Sequence, residues 1–220
     1  MQMSTTRHAT KEVAHGSDTI TNVIYFIGGG ADKSRERFGV VYWGPTRLME
    51  YAQRYFAKQQ GPHSITEYYG YLDKKDIVKH ICKLRRKNPS IRINLVGHSR
   101  GGSVAKDIAT KQLRKKGINV NLLVALDPVK AKMRNKYKIP NKKGMKNVNT
   151  FISVFAKPQR RGGADYIALV GGQYGERLKR RAHYFLQTGA GHGQPIPLLK
   201  THLDAQGKTP FDLLLEESYC

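Results

Sequence analysis

Gly97-His98-Ser99-Arg100-Gly101 sets one hydroxyl between two residues that have no side chains. The spacing Gly-x-Ser-x-Gly suits a nucleophilic serine on a sharp strand-to-helix turn, where a side chain at either glycine would strike the neighbouring strand or helix. A serine hydroxyl is a poor nucleophile at neutral pH. It needs a base to take its proton, a group to orient that base, and donors for the oxyanion of a tetrahedral intermediate. The same five residues could form a glycine-rich turn with an inert serine, so the companions decide.

An orienting acid is expected at the C-terminal end of a later strand, the edge where ligands bind in such sheets. Asp127 ends the apolar run "LLVAL" and is the first candidate; Asp165 in "RRGGADY" is the alternative. Three histidines follow Asp127. His192 sits in the glycine-rich "TGAGHGQPIP", where an imidazole can reach across to Ser99. His183 falls inside a strand pattern, and His202 lies in a polar segment near the end. His98 cannot act as base from its own turn and is expected to pack beneath it. Two main-chain N–H groups should face the oxyanion: that of Arg100, after the serine, and that of Gly28 or Gly29 in "IGGG". No Gly-Lys-Ser/Thr and no G-x-G-x-x-G register accompanies these glycines, which argues against a phosphate cradle.

The elements that must position these groups alternate. "NVIYFI", "SITEYY", "IRINLV", "VNLLVAL", "TFISVFA" and "AHYFLQ" read as strands. Pro45 suits a first helical turn, with Leu48, Ala52, Tyr55 and Phe56 on one face. Asp73 is placed to cap a helix carrying Ile77, Ile81 and Leu84. A helix follows Ser99 as far as Gly117, and another is expected around Phe211–Glu216. Strands alternating with helices predict an α/β fold with a mostly parallel sheet and helices on both faces. No repeat or linker splits the chain, so residues 19–220 read as one domain after a polar N-terminal arm, residues 1–18.

Thirty-nine Lys and Arg oppose sixteen Asp and Glu, a formal net charge of +23. That exceeds what solubility needs and predicts an anionic partner. The excess peaks between residues 130 and 146, where Lys130, Lys132, Arg134, Lys136, Lys138, Lys142, Lys143 and Lys146 stand without an acidic residue. Met133, Tyr137, Ile139 and Met145 interleave with them. Cations with apolar anchors suit an anionic membrane surface, and the segment reads as a basic, lid-like insertion at the edge that carries Asp127. No nucleic-acid-binding motif accompanies the charge, which disfavours nucleic acid and leaves an acidic protein as the other partner class. Cys82 and Cys220 read as free thiols. No Cys/His cluster has metal-ligand spacing, and neither metal nor cofactor is expected. With no continuous apolar run at the N-terminus, a cleaved signal peptide is not expected. The predicted location is cytoplasmic, or outside by a non-classical route, peripheral to a membrane.

These residues, in this order, resemble the α/β-hydrolase superfamily from about Asn22 to about Leu199. The resemblance rests on the GHSRG turn, the glycine loop after an early strand, and the order serine, aspartate, histidine. Within the superfamily, GHSRGG followed by LDPV is similar to bacterial lipases and phospholipases, including effectors delivered by secretion systems. The resemblance implies an α/β-hydrolase fold and a serine hydrolase of lipid esters, foremost a phospholipase or lipase at an anionic membrane, with Ser99, His192 and Asp127 as its triad. A thioesterase or soluble esterase with an acidic or phosphorylated carrier is the alternative. A non-catalytic basic module that binds nucleic acid or membrane is the third reading.

Overall fold

The apolar runs become neighbours in one sheet. In a computed structural model, which describes residues 20–32, 46–130 and 145–220, the strands are β1 (Asn22–Ile27), β2 (Ser64–Tyr69), β3 (Arg92–His98), β4 (Val120–Leu126), β5 (Val148–Ala156) and β6 (Tyr184–Thr188). They pair in the order β2-β1-β3-β4-β5-β6, every pair parallel. A parallel sheet covered on both faces explains why the strands read as nearly continuous apolar runs.

Alternation along each strand sorts side chains into two cores. Val23, Tyr25 and Ile27 face one layer with Leu95, Leu123, Ala125 and Phe151. There α2 (Lys74–Lys87) contributes Ile77 and Ile81, and α3 (Arg100–Asp107) contributes Ala105. Ile24 and Phe26 face the other layer with Val96, Val124, Leu126, Ile152 and Val154. It is closed by Met49, Ala52 and Phe56 of α1 (Leu48–Ala57), Leu198 and Leu199 of α5 (Pro195–Leu199), and Phe211 and Leu214 of α6 (Pro210–Tyr219). Between β5 and β6 lies α4 (Gly163–Val170).

A row of amides pins the register. Asn22 donates to Ser64, Asn94 to Asn22, Asn121 to Asn94 and Asn149 to Asn121, crossing five neighbouring strands. A one-residue slip would break every one of these bonds and move each side chain into the opposite core layer.

Several expectations need correction. The helix after Ser99 changes to a π-helical stretch over Ile108–Leu113. Thr110 Oγ1 donates to the Lys106 carbonyl, competing for the acceptor that a regular helix gives to a main-chain N–H. Asp73 makes no side-chain cap to α2; its Oδ2 accepts the Gly70 N–H instead. β6 starts at Tyr184, so His183 precedes the strand rather than lying within it. The short helices α4 and α5 have weak periodicity and were not expected from the pattern. Pro45 and the arm at residues 1–18 lie outside the described residues.

The basic segment starts at the edge expected but does not end there. Lys130 follows β4 at its C-terminal edge, while Lys146 precedes β5. Because β4 and β5 are parallel, the two ends of the segment belong to opposite edges of the sheet. Lys146, with Lys179, Arg180, Arg181 and His183, lines a polar groove of 550 Å3 at the far edge. Lys132, Arg134, Lys136, Lys138, Lys142 and Lys143 lie outside the described residues, as do Met133, Tyr137 and Ile139. No helix among the described residues is long and apolar enough to cross a membrane.

Candidate active site

The topology opens a crevice where the winding reverses. β1 runs through α1 to β2 on one side, and β3 runs through α3 to β4 on the other. Because α1 and α3 cover opposite faces, the C-terminal ends of adjacent β1 and β3 are left uncovered between them. The loop from Gly28 and the turn at Ser99 meet there.

Ser99 sits at φ 56° and ψ −123°, the N-cap of α3. A non-glycine residue in this region costs about 1–3 kcal/mol and persists only when its surroundings hold it. They do: the Ser99 N–H donates to the Leu126 carbonyl at 3.0 Å, and its own carbonyl accepts from Val129 N–H at 3.0 Å and Gly102 N–H at 3.1 Å. The flanking glycines are steric requirements. A Cβ on Gly97 would run into the Gly101 carbonyl, and a Cβ on Gly101 into the carbonyls of Ile27 and Gly28. Strand and helix therefore approach closely enough to force the serine outward.

His192 Nε2 lies 3.0 Å from Ser99 Oγ, and His192 Nδ1 lies 2.6 Å from Asp127 Oδ2. Asp127 is wholly buried, and Ser99 and His192 are 8% and 6% exposed. An Nδ1–H donated to the carboxylate leaves Nε2 as acceptor for the serine proton. Asp127 also has positive φ, 40°. Its N–H donates to the Val154 carbonyl at 2.7 Å, and its Oδ1 accepts from Ala156 N–H at 3.0 Å and Gln173 Nε2 at 2.7 Å. The carboxylate is thus held by two donors on Oδ1, and its main chain by a third bond, before Oδ2 meets the imidazole.

The two alternative residues take other places. Asp165 on α4 does not reach the imidazole; its Oδ1 accepts the main-chain N–H of His192 at 2.6 Å and its Oδ2 that of Gly162 at 2.8 Å. It holds the loop that carries His192. His183 Nδ1 accepts the Phe151 N–H at 2.9 Å, at the start of β6, whereas His192 follows the end of that strand. His202 is exposed, after α5.

His98 does more than pack. Its Nε2–H donates to the His192 carbonyl at 2.7 Å, and the two rings stand 4.7 Å apart. Burial, with the neighbouring His192 adding to it, pushes the His98 imidazole down to about 4. It is therefore neutral at physiological pH and adds no positive charge beside the pair.

The glycine loop differs from expectation in its donors. The Gly28 N–H already donates to the Tyr69 carbonyl at 2.8 Å and the Gly29 N–H to Asp32 Oδ2 at 2.9 Å, so neither is available to an oxyanion. The Gly30 N–H has no partner among the described residues and lies in the wall of the cavity. Arg100, the first residue of α3, has no carbonyl four residues back within its helix, and its N–H is left for a ligand. Asp32 fixes the loop: its Oδ1 accepts from Thr46 Oγ1 at 2.7 Å and Leu48 N–H at 2.8 Å, tying it to the start of α1. Gln173 and Asp32 carry no local sequence signal, since each acts on a residue brought near only by the fold or on a main-chain N–H; Asp165 was singled out from the sequence, but as the alternative acid and not as the support of the His192 loop.

Above Ser99 opens a cavity of 690 Å3. Ala31, Leu48, Val129, Ala164, Ile167 and Ala168 give it an apolar wall, and His192, Arg100 and Gly30 also line it. That is the size and character of a small-molecule site.

This sheet, with its serine turn at the reversal of winding, is an α/β-hydrolase fold. No protein-family model matches the chain, and no curated protein matches it. Solved structures do. Carboxyl esterase 2 from the mycorrhizal fungus Tuber melanosporum aligns over 93% of this chain and 79% of its own, with a TM-score of 0.56 and 13% identity. A gene product of Listeria innocua aligns over 92% and 93%, with a TM-score of 0.47 and 12% identity. Human thioesterase 2 aligns over 78% and 87%, with a TM-score of 0.39 and 13% identity. At such identities the fungal esterase likeness is one of fold, and function has to be argued from the site.

Proposed function

We propose that the protein is a serine hydrolase of carboxylic esters. The observation that carries this reading is the continuous chain Ser99 Oγ, His192, Asp127, with steps of 3.0 and 2.6 Å. Ser99 Oγ attacks the ester carbonyl while His192 Nε2 takes its proton. Asp127 keeps the imidazole oriented and stabilises its charge. The N–H groups of Arg100 and Gly30 receive the oxyanion. His192 returns the proton to the departing alcohol. Water, deprotonated by the same nitrogen, then releases the carboxylic acid and restores Ser99.

The substrate class we favour is a lipid ester, foremost a phospholipid presented at an anionic surface. The apolar cavity wall supports an acyl chain, and the basic residues 130–146 support an anionic surrounding. A fluorophosphonate probe should label the native protein covalently, and Ser99→Ala should lose both labelling and hydrolysis of a soluble p-nitrophenyl ester, by about 10⁴-fold or more, with unchanged melting. Native protein that neither labels nor hydrolyses any ester would sink the reading.

A further inference from the structure

Next to the cavity the chain turns abruptly from charged to apolar. Of the eight residues of α4, Tyr166, Ile167, Leu169 and Val170 are 57, 73, 45 and 70% exposed. Only Ala168 of this helix is buried. A helix that stabilises a domain hides such side chains; one that displays them in a cluster marks an interaction site. The same helix supplies Ala164, Ile167 and Ala168 to the cavity above Ser99.

The surroundings of α4 are cationic. Lys157, Arg160 and Arg161 are exposed just before it, and the Lys130 N–H bonds to the Gly172 carbonyl just after it. Asp165 is the single carboxylate from Lys157 to Gly175, and its oxygens are turned to the main-chain N–H groups of Gly162 and His192. No other acidic residue lies in this stretch, which Glu176 follows.

We propose that α4 docks on an anionic lipid surface. Tyr166, Ile167, Leu169 and Val170 enter the boundary between headgroups and acyl chains, and the cations around them meet the lipid phosphates. A lipid surface offers apolar depth and a plane of negative charge together, which matches this arrangement; a protein partner would need an apolar groove ringed by carboxylates. Docking at α4 brings the mouth of the cavity to the lipid. Asp165 ties the docked helix to the loop that holds His192. Only the choice of substrate rests on the ester-hydrolase reading; adsorption does not.

Sedimentation with vesicles tests the surface. Native protein should adsorb to phosphatidylcholine vesicles containing about one third phosphatidylglycerol, and much less to phosphatidylcholine alone. The triple variant Tyr166→Ser, Leu169→Ser, Val170→Ser, whose positions lie outside the cavity wall, should lose adsorption at least about tenfold while keeping its melting temperature and its rate on a soluble ester. Arg160→Ala with Arg161→Ala should weaken adsorption to the anionic vesicles only. Native protein that hydrolyses soluble ester but does not adsorb, or a triple variant that adsorbs like native, overturns the proposal. Adsorption that the triple variant loses, from a protein without esterase activity, upholds the docking surface and overturns the hydrolase reading.

Discussion

At the scale of single residues, His98 joins stability to the site. Its imidazole is held at about 4, against about 6.5 in an unfolded chain, because it is buried beside His192. Between those values the unfolded chain takes up a proton that the folded chain refuses. Stability is therefore full above about pH 6.5 and falls as pH drops toward 4, by on the order of 3 kcal/mol from this group. Denaturant midpoints measured across that range should fall less steeply for His98→Asn than for native protein; parallel curves would show that His98 contributes nothing. The residue occupies an "x" of the Gly-x-Ser-x-Gly pattern, so the pattern alone assigns it no part. Its bond to the His192 carbonyl joins residues 94 apart in sequence, a distance that local reasoning does not bridge. Gln173 is a similar case: it braces Asp127 across 46 residues.

At the scale of elements, the serine turn works because β1, β3 and α3 crowd together. The crowding is specific to position. Gly101→Ala pushes a Cβ into main-chain carbonyls that cannot rotate away, and overpacking of this kind costs about 1–3 kcal/mol or more. Gly163 at the start of α4 has nothing within 4 Å of a built Cβ, so Gly163→Ala should stay within about 0.5 kcal/mol of native. Thermal melting of the two variants, with the rate of fluorophosphonate labelling, checks this; equal behaviour would mean that the turn tolerates a wider approach. Inner strands were legible because a parallel sheet covered on both faces leaves nearly continuous apolar runs, and the edge strand β2, SITEYY, by its alternation. β1, β2 and β4 keep the boundaries read from sequence. α4 was not legible because its apolar residues face outward, so no buried stripe marks it as a helix.

At the scale of the whole molecule, the charge of +23 acts against the fold that carries it. Like charges repel more strongly in the compact state, and screening shortens their reach from ~30 Å at about 0.01 M salt to ~10 Å at about 0.1 M. The melting temperature should rise over that interval of sodium chloride; a melting temperature that falls would mean that specific ion pairs outweigh the general repulsion. The same salt should weaken adsorption to anionic vesicles, so stability and docking should move in opposite directions. By itself the sequence determined the strand-and-helix alternation, the class of fold and the serine turn, because burial and steric exclusion write periodic and glycine signals into neighbouring residues. It put Asp127 ahead of Asp165 as the acid and His192 ahead of His183 and His202 as the base. Only the tertiary structure decided which of these meet, that the Gly28 and Gly29 N–H groups are already bonded, and that an apolar helix stands open beside the cavity. Those are facts of distance between segments far apart in the chain, set by the order in which parallel strands pair and by which face each helix covers.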